Sequence, residues 1–323
     1  MWEMADFPEN SAVFPVDSLH CNILRVYLSA HSIMDIEYKN NAAVISGIKC
    51  FNLASSCGCG QAFRWRETDE GEWRGIVGGE VVNVKQEGEL ITISPCSEVS
   101  INKWINYFDL ERDYETIENS IKGDRTLSVC LPYASGIHVF NQEPFEALES
   151  FIISSCNNIK RISNTIEKLC KLCGERIDDK LFAFPTPEAI AALSEKELMD
   201  IGTGYRAPYI KKSAQMVADG FELEKLRGMT IEQARKELLA FPGVGPKVAD
   251  CVLLFSLSHT DAFPIDVWMG RAMTELYFDS KKPSRRDMAA AVERLGAYSG
   301  IIQQYIFHYA RYKKLGRSKP DLK

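Results

Sequence analysis

Lys247 and Asp266 are the residues of this sequence best placed to do chemistry together. The lysine follows Leu238-Leu239-Ala240-Phe241-Pro242-Gly243-Val244-Gly245-Pro246, a helical pattern that breaks at Pro-Gly-Val-Gly and restarts at Pro246. Two glycines permit a turn that a Cβ atom would obstruct, and Pro246 suits the first position of a new helix. Amides in that first turn have no intrahelical partner and point outward as an anion site. Lys247 therefore sits at the positive end of a helix dipole, where a protonated amine is disfavoured and a nucleophilic one is favoured. Asp266 follows Ala262-Phe263-Pro264-Ile265 and precedes another helical run, the setting of an N-cap. One short helix and a loop separate the two residues, enough chain to bring amine and carboxylate into one pocket.

Pro-Gly-Val-Gly-x-Lys-Val-Ala-Asp is the pattern of a helix-hairpin-helix, which grips a DNA phosphate without reading a base. With Pro264-x-Asp266-Val267 downstream, it resembles the helix-hairpin-helix, glycine/proline-rich, aspartate (GPD) DNA glycosylases. Taken singly the elements have other readings: the hairpin occurs in non-catalytic DNA-binding modules, Lys247 could be a solvated helix lysine, and Asp266 could be only a cap. Their coincidence in motif and spacing favours the catalytic pair. Four further segments are similar to the 8-oxoguanine DNA glycosylase branch: Gly60-Gln61-Ala62-Phe63-Arg64-Trp65-Arg66, the stretch from Phe151 through Ser155-Cys156-Asn157-Asn158 to Ile162, Gly202-Thr203-Gly204-Tyr205-Arg206-Ala207, and Ala249-Asp250-Cys251. The resemblance runs from about residue 51 to residue 311.

That resemblance implies an enzyme acting on duplex DNA that contains 8-oxoguanine. The damaged base leaves the stack and enters a pocket. There the Gly60 carbonyl accepts the N7–H that guanine lacks, Gln303 reads the Watson–Crick edge, and Phe307 and Cys251 pack on opposite faces of the base. Gln303 and Phe307 are four residues apart, hence on one helix face, as are Lys247 and Cys251. Lys247 attacks C1′ and forms a Schiff base, Asp266 stabilises positive charge developing on the sugar, and β-elimination nicks the strand. Amides of Gly243, Gly245, Lys247 and Val248 hold a backbone phosphate. The carbonyls of Leu239, Phe241 and Val244 match positions that bind a structural monovalent or divalent cation. On the opposite strand, Arg161 and Arg206 match the arginines that recognise the estranged cytosine, in the segment that includes Asn157, and Tyr205 matches the aromatic wedge. Two departures stand out: Cys156 occupies the place of an asparagine that contacts the cytosine, and Trp268 replaces a histidine beside the aspartate. No cofactor is required, and the four-cysteine run that carries an iron–sulfur cluster in several related glycosylases is absent. The alternatives are a monofunctional glycosylase that activates water through Asp266 and a non-catalytic helix-hairpin-helix DNA-binding protein.

Composition sets looser bounds. The 323 residues suffice for two domains with ample core. A net charge of −6 argues mildly against unselective binding to nucleic acid. Basic clusters nevertheless recur in the second two-thirds, at Lys160-Arg161, Arg206 with Lys211-Lys212, Lys281-Lys282 with Arg285-Arg286, and residues 311–319. Such a local basic face on an acidic protein suits a damage-search enzyme. Ten irregularly spaced cysteines point to reduced thiols. Cys57-Gly-Cys59 and Cys170-x-x-Cys173 lack a clean second pair for zinc, and the latter reads as two positions on one helix face. No apolar run reaches membrane-spanning length and the first residues lack a basic signal-peptide start. The expectation is an intracellular monomer, cytoplasmic and nucleoid-associated in a bacterium or nuclear in a eukaryote.

The elements that must position these residues follow an α+β order. Short β-branched or aromatic runs at Ala43-Val44-Ile45, Phe63-Arg64-Trp65-Arg66, residues 73–77, 81–84 and 90–93 alternate with glycine-containing turns, which predicts an antiparallel sheet. From Pro144 onward helices dominate, with two helices expected over 145–173 and helix starts at Thr186, Ser194 and Thr230. Residues 280–286 read as a polar loop and 318–323 as a fraying tail. The chain thus reads as an N-terminal antiparallel (TBP-like) β-rich domain over 1–115 and an all-α helix-hairpin-helix body over 116–323.

Overall fold

The computed structural model describes residues 14–15, 23–29 and 32–315, with side chains from Met34 onward. The expected tail at 318–323 lies outside the described residues. Among the described residues eight strands form one antiparallel sheet: β1 (Phe14–Pro15), β2 (Ile23–Ser29), β3 (Ser32–Lys39), β4 (Ala42–Ser46), β5 (Trp65–Glu67), β6 (Trp73–Val77), β7 (Glu80–Glu87) and β8 (Leu90–Ser94). Their order is β1-β2-β3-β4-β8-β7-β6-β5. Asn40 and Asn41, both with positive φ, make the two-residue turn that pairs Lys39 with Ala42. Asparagine tolerates that region best among residues with a side chain, and the turn's twist matches the strands. Alternation then sends Ile36, Ala43, Ile45, Val82, Val84, Ile91 and Ile93 to one buried face. The Ile101–Tyr107 helix covers that face with Trp104, and Phe108 follows it.

Two details differ from the expected layout. A short helix, Leu53–Gly58, interrupts the β-rich segment, capped by Asn52 through the Ser55 amide. The run at residues 63–66 is a strand only from Trp65 onward, because its first half is spent on contacts to the helical body. Gln61 donates to the carbonyls of Ser56 and His138 and accepts from the Phe140 amide. The Phe63 carbonyl takes Ser163 Oγ at 2.9 Å, and Arg64 reaches Glu167 and the Phe182 carbonyl. Trp65 donates to Tyr107 Oη at 2.9 Å. The Gly-Gln-x-Phe-Arg-Trp signature is therefore a weld between sheet and helices, with Gly60 at its edge.

In the helical part, Pro144–Ser154 and Pro246–Ser256 are buried almost all round, and their mean hydropathy fits a central position. The expected stretch over 145–173 is indeed two helices, the second being Ile159–Cys173. Thr186, Ser194 and Thr230 each cap a helix through the backbone amide three residues on. The polar loop expected at 280–286 ends earlier, since Ser284 caps a helix that starts at Arg285. Cys170 and Cys173 do share the Ile159–Cys173 helix, and the nine described cysteines are all free thiols. Among the described residues no helix is long and apolar enough to cross a membrane.

Candidate active site

The hairpin forms as the sequence dictates. Ile231–Leu238 is the first helix, Leu239 its C-cap, and Pro246–Ser256 the second helix with Gly245 as N-cap. Gly243 has φ +81, and a Cβ there would lie 2.8 Å from the Tyr209 side chain, so both conformation and space demand glycine. Gly245 has no side chain to cap with, which leaves the first-turn amides of Lys247 and Val248 open to an anion. Arg235 bonds Asp250 at 2.7 Å and locks the two helices together. Burial raises the Asp250 carboxyl from its ordinary range while this arginine opposes the shift.

Lys247 is half-buried, with Nζ 3.2 Å from Ser154 Oγ and 5.2 Å from the Phe151 ring centroid. Ser154 gives its own proton to the Phe151 carbonyl at 2.7 Å, so it offers the amine a neutral acceptor. Among the described residues no carboxylate forms an ion pair with Lys247. Asp266 caps the Val267–Tyr277 helix, its Oδ1 accepting the Met269 amide at 2.8 Å. The second oxygen has no hydrogen bond among the described residues. The Cys251 thiol feels the charge of Lys247 and, more weakly, that of Asp266. Burial pushes that thiol up to about 11, opposed by Lys247, so it is a neutral wall at pH 7.

The other residues expected at the base pocket lie on two further elements. Gly60 has φ +95, a conformation that favours glycine, and a Cβ there would sit 2.8 Å from the movable end of the Ile159 side chain. Gln303 and Phe307 lie on the Ser299–Lys313 helix. Gln303 is buried and donates to the Pro264 carbonyl at 3.0 Å, which ties its helix to the loop that carries Asp266. Its Oε1 accepts from Gln304, so in this state both ends of the amide are occupied. Phe307 is partly exposed, under the Arg311 guanidinium.

The residues expected to meet the opposite strand lie on two neighbouring segments joined by Arg206. Cys156 is exposed with φ +50, Asn157 bonds back to the Ile153 carbonyl, and Arg161 is exposed in the first turn of the Ile159–Cys173 helix. Arg206 is placed differently from a reaching side chain. It is buried, and its guanidinium donates to the carbonyls of Ser155, Cys156 and Thr203. Tyr205 projects, 58 % exposed, and stacks on Arg206. Trp268 is half-buried with Arg271 over its ring. Of the basic clusters, Lys160-Arg161, Lys281-Lys282 and Arg285-Arg286 are exposed, whereas Lys211 is committed to the Leu193 carbonyl.

Leu239, Phe241 and Val244 ring the hairpin turn. The Phe241 carbonyl already accepts the Val244 amide, while the Leu239 carbonyl accepts no bond among those described. Backbone oxygens at the negative end of a helix, not all internally satisfied, fit a hard cation. Sequence reasoning missed Ser154 and Phe151 as partners of Lys247, although both lie in the segment singled out. Their three-residue spacing at a helix end was the available signal.

Comparison with known proteins agrees with this geometry. Residues 44–148 match the 8-oxoguanine DNA glycosylase N-terminal domain, and residues 150–297 match the HhH-GPD superfamily of base excision DNA repair proteins. The chain is 31% identical to the "Probable N-glycosylase/DNA lyase" of Methanothermobacter thermautotrophicus, over 76% of this chain and 88% of that protein. The N-glycosylase/DNA lyase OGG1 of Arabidopsis thaliana is 29% identical, over 77% of this chain and 74% of its own length. The Clostridium acetobutylicum 8-oxoguanine glycosylase/lyase, solved with double-stranded DNA containing cytosine opposite 8-oxoG, superimposes with a TM-score of 0.83 at 35% identity, covering 87% of this chain and 98% of that one. MBOgg1 in complex with a low affinity DNA ligand gives 0.84 at the same identity, covering 87% and 99%. With its sheet and hairpin in place, the chain belongs to the 8-oxoguanine glycosylase family of the HhH-GPD superfamily, bifunctional N-glycosylase/DNA lyases of base excision repair.

Proposed function

We propose that this enzyme removes 8-oxoguanine from duplex DNA with Lys247 as nucleophile. The observation that carries the reading is the setting of the Lys247 amine. It is held by a neutral hydroxyl rather than a carboxylate, at the mouth of an anion-binding helix start and beside the buried Cys251 thiol. Phosphate at the Gly243 to Val248 turn brings the sugar of an extruded nucleotide to this amine. The base then lies between Cys251 and Phe307, with the Gly60 carbonyl facing N7. In 8-oxoguanine N7 carries a proton and donates; in guanine it bears a lone pair and is repelled.

The Lys247 amine attacks C1′ through its nitrogen lone pair as the C1′–N9 bond breaks, and the base departs with the bonding electrons. Asp266, with one oxygen fixed by the Met269 amide, directs the other at the positive charge that develops on the sugar. Ring opening gives a protonated Schiff base between Lys247 and C1′. Loss of a C2′ proton then expels the 3′ phosphate and nicks the strand. A hard cation at the Leu239, Phe241 and Val244 carbonyls would supply rigidity to the turn. Gln303 must release Pro264 or Gln304 to read the base, so its selection is coupled to the loop that carries Asp266.

Borohydride trapping tests the assignment. Lys247→Gln is expected to abolish the covalent protein–DNA adduct and strand nicking while duplex binding survives. Full trapping by the variant would reject Lys247, and base release without any adduct in the wild-type protein would favour a monofunctional mechanism.

A further inference from the structure

Arg311 ties the Phe307 helix to the segment that carries Gly60, two sides of the pocket the extruded base is to enter. It lies on the Ser299–Lys313 helix, four residues beyond Phe307 and eight beyond Gln303, hence on their face. Its Nη1 donates to the Cys59 carbonyl at 2.8 Å, and its guanidinium lies 5.6 Å from the Phe307 ring centroid. The same Nη1 is 3.5 Å from the point where a Cβ on Gly60 would lie. The Cys59 carbonyl and the Gly60 amide share one planar peptide unit. Fixing that carbonyl therefore fixes the plane from which Gly60, at φ +95, turns its own carbonyl.

A second tie runs parallel to the first, deeper in the molecule. From the same helix, Tyr305 Oη donates to Glu118 at 3.0 Å. Glu118 also accepts the Gly136 amide, and the Gly136 carbonyl accepts the amide of Asn52, the cap of the Leu53–Gly58 helix that leads into Gly60. This inner tie is buried and belongs to the core. The outer one joins an exposed Arg311 to the buried Cys59 carbonyl, and its loss from the surface side would not empty the core.

We propose that Arg311 is a positioning residue for base recognition: by clamping the Cys59 carbonyl from the Phe307 helix, it sets the Gly60 carbonyl against the N7–H of the damaged base. The inference rests on the assignment of Gly60 and Phe307 to the base pocket. Lys247 is held separately, by Ser154 and Phe151 on the Pro144–Ser154 helix, and makes no contact with Arg311. Loss of the clamp should thus impair base excision and spare the lyase reaction, which needs Lys247 and no base.

The test compares Arg311→Met with wild type under single-turnover conditions at saturating enzyme, on two duplexes of equal charge. One carries 8-oxoguanine opposite cytosine, the other a preformed abasic site. Arg311→Met is expected to slow 8-oxoguanine release tenfold or more while nicking the abasic duplex within twofold of wild type. Equal slowing on both duplexes, or unchanged release, would overturn the proposal. Gly60→Ala run in parallel separates the two layers of inference. If Gly60→Ala also leaves release unchanged, the pocket assignment itself fails. If Gly60→Ala slows release and Arg311→Met does not, only the role of Arg311 fails.

Discussion

At residue 156 the backbone and the side chain make different demands. The φ of +50 lies in the left-handed region, where asparagine is the best tolerated residue with a side chain, yet a cysteine occupies it. Neighbouring Arg206 holds the loop in that shape through the carbonyls of Ser155 and Cys156. Arg206 is thereby committed, and the exposed Arg161 is left as the reaching arginine. Cys156→Asn should raise stability by up to about 1 kcal/mol through relief of the backbone, read as a small rise in Tm. It should also steepen the preference for cytosine opposite the lesion, by on the order of 1–3 kcal/mol if the amide completes a contact to the base. Excision rates across the four opposite bases check this. A steep wild-type preference that Cys156→Asn leaves unaltered would remove residue 156 from the cytosine contact.

At the scale of the element, the hairpin separates two uses of glycine. Gly243 is required by the fold, since its positive φ and the Tyr209 side chain 2.8 Å from a would-be Cβ both exclude alanine. Gly245 has an ordinary φ of −98 and open space around it, so its value lies in letting a phosphate approach bare amides. Gly243→Ala is accordingly expected to cost about 1–3 kcal/mol of stability. Gly245→Ala should leave Tm within a degree or so and weaken binding of undamaged duplex. Thermal melts and duplex titrations of both variants distinguish the roles, and equal loss of Tm in the two would contradict them. Elements also explain why the lysine is positioned well: the Pro144–Ser154 helix ends beside the start of Pro246–Ser256, so Ser154 and Lys247 meet at helix termini.

For the whole molecule, a buried carboxyl couples stability to pH. Glu149 is fully buried on the Pro144–Ser154 helix, accepts Ser213 Oγ at 2.6 Å through one oxygen and has no partner for the other. Burial pushes its pKa up to about 8, with the Ser213 bond opposing the shift. The folded protein therefore keeps this proton between about pH 4.5 and 8, where the unfolded chain has released it. Stability falls as pH rises through that window, and at pH 7 the deficit relative to low pH is on the order of 3 kcal/mol. Glu149→Gln keeps the Ser213 bond and cannot ionise, so it should stabilise the protein more at pH 8 than at pH 5. Denaturant melts at both pH values measure the difference, and an equal effect at the two would exclude a protonated Glu149. The residue bonds across to Ser213 on the Ala207–Ala218 helix, which makes this a property of assembly rather than of any one element.

Much of the site is legible in the amino-acid order because it is local. Gly243, Gly245, Pro246 and Lys247 specify a turn and a helix start within a few residues, and Asp266 caps its helix through the amide three residues on. Strand alternation and the Thr186, Ser194 and Thr230 caps are likewise short-range, each fixed by backbone conformation or one side-chain bond. What the tertiary structure alone decided depends on partners far apart in the chain. Ser154 meets Lys247 across 93 residues and Arg311 meets Cys59 across 252. Arg206 turns inward because the Ser155 carbonyl, 51 residues away, offers a part-buried acceptor that its buried charge cannot forgo. No periodicity or spacing encodes such meetings, since they follow from how helices pack once the apolar faces are buried.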